Sequence, residues 1–229
     1  MMIARYLAGM IIGYLLGSIP WGLILAKRMT GVDVREVGSG KIGATNVLRS
    51  AGRKVAILSG LLDFAKGAAA VLFAGLIIGK SYMIVGRLGF GPLLGQVLAG
   101  LAAVAGHNWS IFLKFRGGSG VAAFFGGLTV LVWSVALFGG EVLGIGAVST
   151  LFMSLGSLAG VVGTYAILIP LTIVNHWPIE YLLYAFGGTA MIIYTHRGNI
   201  VRLFQGIERK LGERADKIRR HPNRQNKKV

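Results

Sequence analysis

Residues 120–174 read GVAAFFGGLTVLVWSVALFGGEVLGIGAVSTLFMSLGSLAGVVGTYAILIPLTIV, with Glu141 the single charge. A bilayer-crossing helix takes about 20 apolar residues, so one crossing cannot absorb this stretch, whereas three short ones can. Its flanks decide the parity. The loop from Lys27 to Lys54 carries Lys27, Arg28, Arg35, Lys41, Arg49, Arg53 and Lys54, and residues 197–229 carry eleven further Lys and Arg; the opposite face has Arg5, Lys80 and Arg87. Basic loops stay on the cytoplasmic side. A span ending just before Gly120 therefore ends inside, the last span starts outside, and the stretch crosses an odd number of times. Breaks near Gly139-Gly140-Glu141 and near Gly156-Ser157 divide it into three crossings.

Four more apolar runs fit spans at roughly Met2–Ala26, Val55–Ile78, Leu88–Gly106 and Ile179–Tyr194. The expected fold is an all-α integral membrane protein, a bundle of about seven transmembrane helices with the N-terminus outside and the C-terminus cytoplasmic. Five spans plus a re-entrant segment is the alternative. Residues 1–208 form one transmembrane domain, and 209–229 a basic cytoplasmic tail that is either drawn to anionic lipid headgroups or simply solvated. The first apolar run is long enough to remain as a span, so no cleavable signal is expected. Gly9, Gly13 and Gly17 recur on one face of the first span, and Gly91 and Gly95 near the third, as helices that approach closely in lipid require.

Composition agrees. Hydrophobic residues are 54% of the chain, charged residues 14%, and mean hydropathy is +0.68, values of a membrane protein. The net charge of +16 is gathered in loops between apolar runs and at the C-terminus, which points to membrane surface and phosphate rather than nucleic acid. There is no cysteine, which excludes disulfides, thiolate nucleophiles and cysteine-ligated metals.

Three polar patches interrupt the apolar pattern: 38–46 with Arg49, 107–120, and 196–199 with Arg202 and Glu208. The topology puts all three on the cytoplasmic face. The turn Gly117-Gly118-Ser119-Gly120 lets backbone N–H groups converge on an anion, and a helix starting at Gly120 would add its positive dipole end. A flexible interfacial turn is the plainer reading of the same residues. Asp63 and Lys66 stand three apart inside a span, as a structural ion pair or as a wall of the site. The sequence has no Walker motif, no G-x-S-x-G elbow and no His-x-x-x-x-Asp pair.

Residues 38–49, preceded by Gly17-Ser18-Ile19-Pro20, Asp33 and Arg35, resemble the first motif of the PlsY-type acyl-phosphate:glycerol-3-phosphate acyltransferases of bacteria. Leu62-Asp63-Phe64-Ala65-Lys66-Gly67 is similar to that family's second span. Gly106-His107 through Gly120-Val121-Ala122 resembles its second motif, and His196-Arg197-Gly198-Asn199 through Arg202, Gly206 and Glu208 its third. The resemblance implies that an acyl group passes from acyl phosphate to the 1-hydroxyl of glycerol 3-phosphate at the cytoplasmic face of the bacterial plasma membrane. It implies no metal or organic cofactor and no nucleic-acid partner; acyl phosphate, glycerol 3-phosphate and anionic lipids are the partners. An acyl phosphate carries its own leaving group, so no enzyme nucleophile is needed.

On that resemblance Ser39, His196 and Asn199 are the catalytic candidates. Lys41, Asn46, Arg49, His107, Gly117, Gly118, Ser119, Gly120 and Glu208 are the substrate-binding ones, with a structural role weighed for Glu208 and a span-capping role for His107. Two positions depart from the family pattern. Ser119 stands where the second motif has lysine, and Lys41 where the first has asparagine. Lys41 replaces the missing ammonium if the two loops meet; otherwise the chain is a diverged relative with weak or altered activity. A carrier is the reading from another class, but carriers show internal repeats and midplane sites, and the polar groups here lie at one interface.

Overall fold

The structure, a computed structural model, describes residues 2–85 and 88–213. Helix α1 (Met2–Ser18) stops at Ile19-Pro20 and the chain restarts as α2 (Trp21–Thr30). The single span expected over Met2–Ala26 is thus broken, because proline lacks an N–H and disfavours helix in the residue before it. The exposed carbonyls at the break are satisfied from other helices: Ser110 Oγ donates to Ser18 O at 2.6 Å and Lys66 Nζ to Ile19 O at 2.8 Å. A 3-10 turn (Val34–Glu36) and the short α3 (Ala44–Ala51) lead into α4 (Arg53–Ile78). Leu23, Ala26, Val34, Ile42, Val47 and Val55 form a buried cluster that holds this polar segment in place.

Two short strands, β1 (Met83–Val85) and β2 (Leu88–Phe90), pair antiparallel with Met83 opposite Phe90. Among the described residues the regular structure is thus helical apart from this hairpin, and the third span starts later than Leu88. Helix α5 (Pro92–Asn108) begins with proline at its first position, where no N–H is needed. Glycine faces serve as expected in α1: a Cβ at Gly13 or Gly17 would overlap the backbone of Ala99 or Ala103 on α5.

The stretch 120–174 does form three helices, but with other boundaries. These are α6 (Val121–Leu131), α7 (Trp133–Thr150) and α8 (Met153–Val174). The breaks lie at Val132 and at Leu151-Phe152, not at Gly139–Glu141 or Gly156-Ser157. Gly139 and Gly156 instead lie in the contact between α7 and α8: a Cβ at Gly139 would crowd Thr164 and Gly160, and one at Gly156 would crowd Leu143 and Ala147. At 1.5 Å per residue, α6 is only about 16 Å long, roughly half the hydrocarbon thickness. The last helix, α9 (Glu180–Phe204), runs on past Tyr194 and carries the third polar patch on its final turns rather than in a loop.

Among the described residues five segments are long and apolar enough to cross a membrane: Met2–Thr30, Arg53–Ile78, Pro92–Leu113, Trp133–Thr150 and Met153–Val174. Their exposed faces are apolar, with Leu7, Ile11, Leu72, Leu76 and Ile145 among the bare side chains. The main core joins α5, α6, α8 and α9. Tyr184 stacks on Phe124 at 5.2 Å and donates to its carbonyl at 2.9 Å. This contact sets α6, and so the turn before it, against α9.

Candidate active site

The three polar patches meet at one cavity of about 270 Å³ lined from α3 through α9. Ser39, Lys41, Asn46, Arg49, His107, Ser119, His196, Asn199 and Glu208 all line it. Gly117, Gly118 and Gly120 frame Ser119 without lining the cavity themselves. A more open, mainly polar recess of about 370 Å³ adjoins it and shares Ser39, Lys41, Asn199 and Arg202.

Asn46 spends its amide on the chain around it. Its Oδ1 accepts from Ser39 N at 3.1 Å, and its Nδ2 donates to the carbonyls of Val34, Val37 and Lys41 at 2.8–3.0 Å. It is buried, and a buried amide so fully paired acts as a template for the loop. The loop then points Ser39 and Lys41 inward. Lys41 Nζ donates to the carbonyl of Thr195 on α9. Burial and the nearby Arg202 and Arg197 hold its pKa below the usual lysine value, with Glu208 opposing. Arg49, one helical turn after Asn46, donates from Nη2 to Arg209 O (3.0 Å) and Lys210 O (3.1 Å). Its Nε is buried and has no partner among the described residues.

Glu208 is the hub of the opposite wall. Its Oε1 accepts from Asn199 Nδ2 at 2.7 Å and from Ser154 Oγ at 3.0 Å, and its Oε2 accepts from Arg202 Nε at 2.7 Å. Because His196, Asn199 and Arg202 stand three apart on α9, they share a face. His196 Nδ1 lies 2.8 Å from the Ile192 carbonyl. A carbonyl only accepts, so Nδ1 carries the proton and the neutral ring keeps its Nε2 lone pair free to accept from a hydroxyl.

Asp63 and Lys66 form a buried pair at 2.8 Å. Lys66 also caps the α1 break, while Asp63 lines the cavity and faces His107 Nδ1 at 3.5 Å. The pair therefore serves both as a tie between helices and as a wall of the site. His107 packs its Nε2 against Gly118, where a Cβ would overlap it, and its carbonyl accepts from Gly118 N at 2.9 Å. Gly120 has φ 80° and opens α6.

The cavity also takes residues outside the expected set: Thr45, Asp63, Ser154, Ser157, Arg202 and Arg209, with Val121, Phe125, Leu143 and Met153 on its apolar side. Ser154 and Ser157, three apart at the start of α8, were the legible sign of a polar face inside an apolar run. Among the described residues no group of three His, Asp or Glu side chains is placed to hold a metal.

A family model described as glycerol-3-phosphate acyltransferase matches residues 7–206. The chain is 55% identical over 215 residues to "Glycerol-3-phosphate acyltransferase 3" of Dehalococcoides mccartyi (strain CBDB1), covering 94% of this chain and 100% of that one. It is 40% identical to the glycerol-3-phosphate acyltransferase of Shouchella clausii (strain KSM-K16), covering 93% and 99%. The crystal structure of PlsY, an integral membrane glycerol 3-phosphate acyltransferase, in its glycerol 3-phosphate form superposes with a TM-score of 0.77 at 36% identity, covering 90% of this chain and 96% of that one. The lysophosphatidic acid form gives 0.73 at 37% identity, with coverage of 90% and 94%.

Proposed function

Since the chain belongs to the glycerol-3-phosphate acyltransferase family, we propose that it transfers a fatty acyl group from acyl phosphate to the 1-hydroxyl of glycerol 3-phosphate, giving lysophosphatidic acid and inorganic phosphate. The observation that carries this reading is the two-sided cavity, basic and hydroxyl-rich on one side and apolar on the other. It suits an amphiphilic donor and a small dianionic acceptor held side by side.

In this reading the glycerol hydroxyl attacks the acyl carbonyl directly. The new ester C–O bond forms, the bond from carbonyl carbon to phosphate oxygen breaks, and the hydroxyl proton ends on the departing phosphate. His196 Nε2 accepts from the hydroxyl and orients it, with Asn199 beside it. Ser39 and the free Arg49 Nε–H stabilise charge on the carbonyl oxygen and the donor phosphate. Asn46 and Glu208 act by placing these groups, and His107 by supporting the Gly117–Gly120 turn. Val121, Phe125, Leu143 and Met153 receive the start of the acyl chain.

In this reading the chain crosses the bacterial plasma membrane seven times, α9 joining the five long segments and the half-length α6 completing its crossing through the buried site that opens to the cytoplasm, with the N-terminus outside. The basic distribution between loops supports this orientation. Residues 1–208 form the acyltransferase domain. Of the basic segment 209–229, which meets anionic lipid, residues 214–229 lie outside those described.

The test is to supply purified protein with glycerol 3-phosphate and either palmitoyl phosphate or a palmitoyl thioester. Equimolar lysophosphatidic acid and phosphate from the first donor alone is the expected result. Turnover with the thioester alone would overturn the assignment of the donor.

A further inference from the structure

Resting on that reading, we infer that Lys41 is the cation of the Gly117–Gly120 turn, delivering from another loop the charge that binds a substrate phosphate there. The turn has the geometry of an anion receptor. Gly120, in the left-handed region, opens the eleven-residue α6, so backbone N–H groups at the helix start are free of intrahelical partners.

A second, independent observation marks the spot as prepared for a polar ligand. Asn108 is 3% exposed, and neither its Oδ1 nor its Nδ2 finds a partner among the described residues. Both atoms lie against Gly120, 2.6 and 3.1 Å from where a Cβ would sit. A buried amide left wholly unpaired is destabilising, and a bound polar ligand is what would satisfy it.

The turn has no cation of its own in the cavity. Ser119 is its only side chain, and the neighbouring Lys114 and Arg116 are exposed and do not line the cavity. Lys41 fills that gap through α9. Its ammonium donates to the Thr195 carbonyl, and the Thr195 hydroxyl, between the carbonyls of Ile192 (2.9 Å) and Ser119 (3.3 Å), lies in reach of the turn. From the same loop, a Cβ on Gly43 would stand 4.0 Å from Ser119 Oγ. The first and second polar patches thus share one wall, and Lys41 lines both the main cavity and the adjoining recess.

An ammonium has three donors, and one is used on Thr195. Among the described residues no carboxylate lies within ion-pair distance of it. Arg197 and Arg202 add like charge nearby. A partly buried cation in such company gains most from a dianion. The arrangement also joins the two departures from the family pattern: the charge absent at Ser119 is present at Lys41.

The experiment compares wild type, Lys41→Met, Ser119→Lys and the double variant in detergent. Three quantities are read: inorganic phosphate binding to the resting protein by calorimetry, kcat/KM for glycerol 3-phosphate, and the thermal midpoint. Lys41→Met should weaken phosphate binding and lower kcat/KM by about a hundredfold with an unchanged midpoint. Adding Ser119→Lys should return at least about tenfold of both. Phosphate binding by Lys41→Met equal to wild type overturns the inference, as does a double variant that melts like wild type and recovers nothing. If Lys41→Met does not fold, Ser119→Glu substitutes for it: the carboxylate should capture Lys41, raise the midpoint and abolish phosphate binding, and unchanged binding again overturns the inference. A wild type that binds phosphate through Lys41 yet makes no lysophosphatidic acid would sink the functional reading while leaving this one standing.

Discussion

Replacing Glu208 by glutamine keeps its shape and removes its charge. The carboxylate accepts three hydrogen bonds, from Ser154, Asn199 and Arg202. With the amide oxygen retained toward Ser154 and Asn199, the new NH2 faces Arg202 Nε, donor against donor. The lost ion pair contributes only about 1 kcal/mol, because the Arg202 side chain is 32% exposed and solvent screens it. The unsatisfied donors add roughly 1–3 kcal/mol. Together these give about 2–4 kcal/mol, or very roughly 5–15 °C in thermal midpoint for a chain of this size. Because Arg202 lines the cavity, releasing it should also lower kcat/KM by about a hundredfold, the usual cost of a 1 Å misplacement. The assays are thermal unfolding in detergent and initial rates of lysophosphatidic acid formation. A Glu208→Gln variant that melts and turns over like wild type would refute Glu208 as the hub of this wall.

Other perturbations have equally definite outcomes. His196→Ala should reduce kcat by about 10²–10⁴ with little change in KM for the donor; an equal fall in thermal midpoint and no kinetic change would mean that the ring only packs. Asp63→Asn leaves Lys66 buried without its partner and should destabilise by about 3–5 kcal/mol, with Asp63→Asn/Lys66→Met recovering most of that in a melting experiment. The rate should fall on the alkaline side as pH rises through the depressed Lys41 pKa, since the ammonium is the working form. Lys41→Arg should move that limb to higher pH, and an unmoved limb would assign it to another group.

Hydropathy made the long helices legible. The expected Val55–Ile78 span differs from α4 by two residues at one end. The breaks inside 120–174 were misplaced because glycine in a membrane helix marks close packing as often as a turn. Gly139 and Gly156 hold α7 and α8 together, while the true breaks at Val132 and Leu151-Phe152 carry neither glycine nor proline. Helix α9 outran its apolar stretch because His196, Asn199 and Arg202 continue on one face after the lipid-facing residues end. For the site, the motifs supplied most of the lining residues. They did not show that Thr195 stands between Lys41 and Ser119, where three segments distant in the chain meet. The spacing of Ser154 and Ser157 was readable, but the contact of Ser154 with Glu208 was not, since Glu208 lies beyond the next helix.

The proposed mechanism rests on direct acyl transfer from bound acyl phosphate to the hydroxyl of bound glycerol 3-phosphate, with no acyl-enzyme. Single turnover with enzyme in excess tests it most directly, using acyl-labelled palmitoyl phosphate with and without glycerol 3-phosphate. With the acceptor present, lysophosphatidic acid and phosphate should appear at one rate, and without it no label should attach to protein. Label bound to protein before the acceptor is added, or phosphate released ahead of the product, would contradict it.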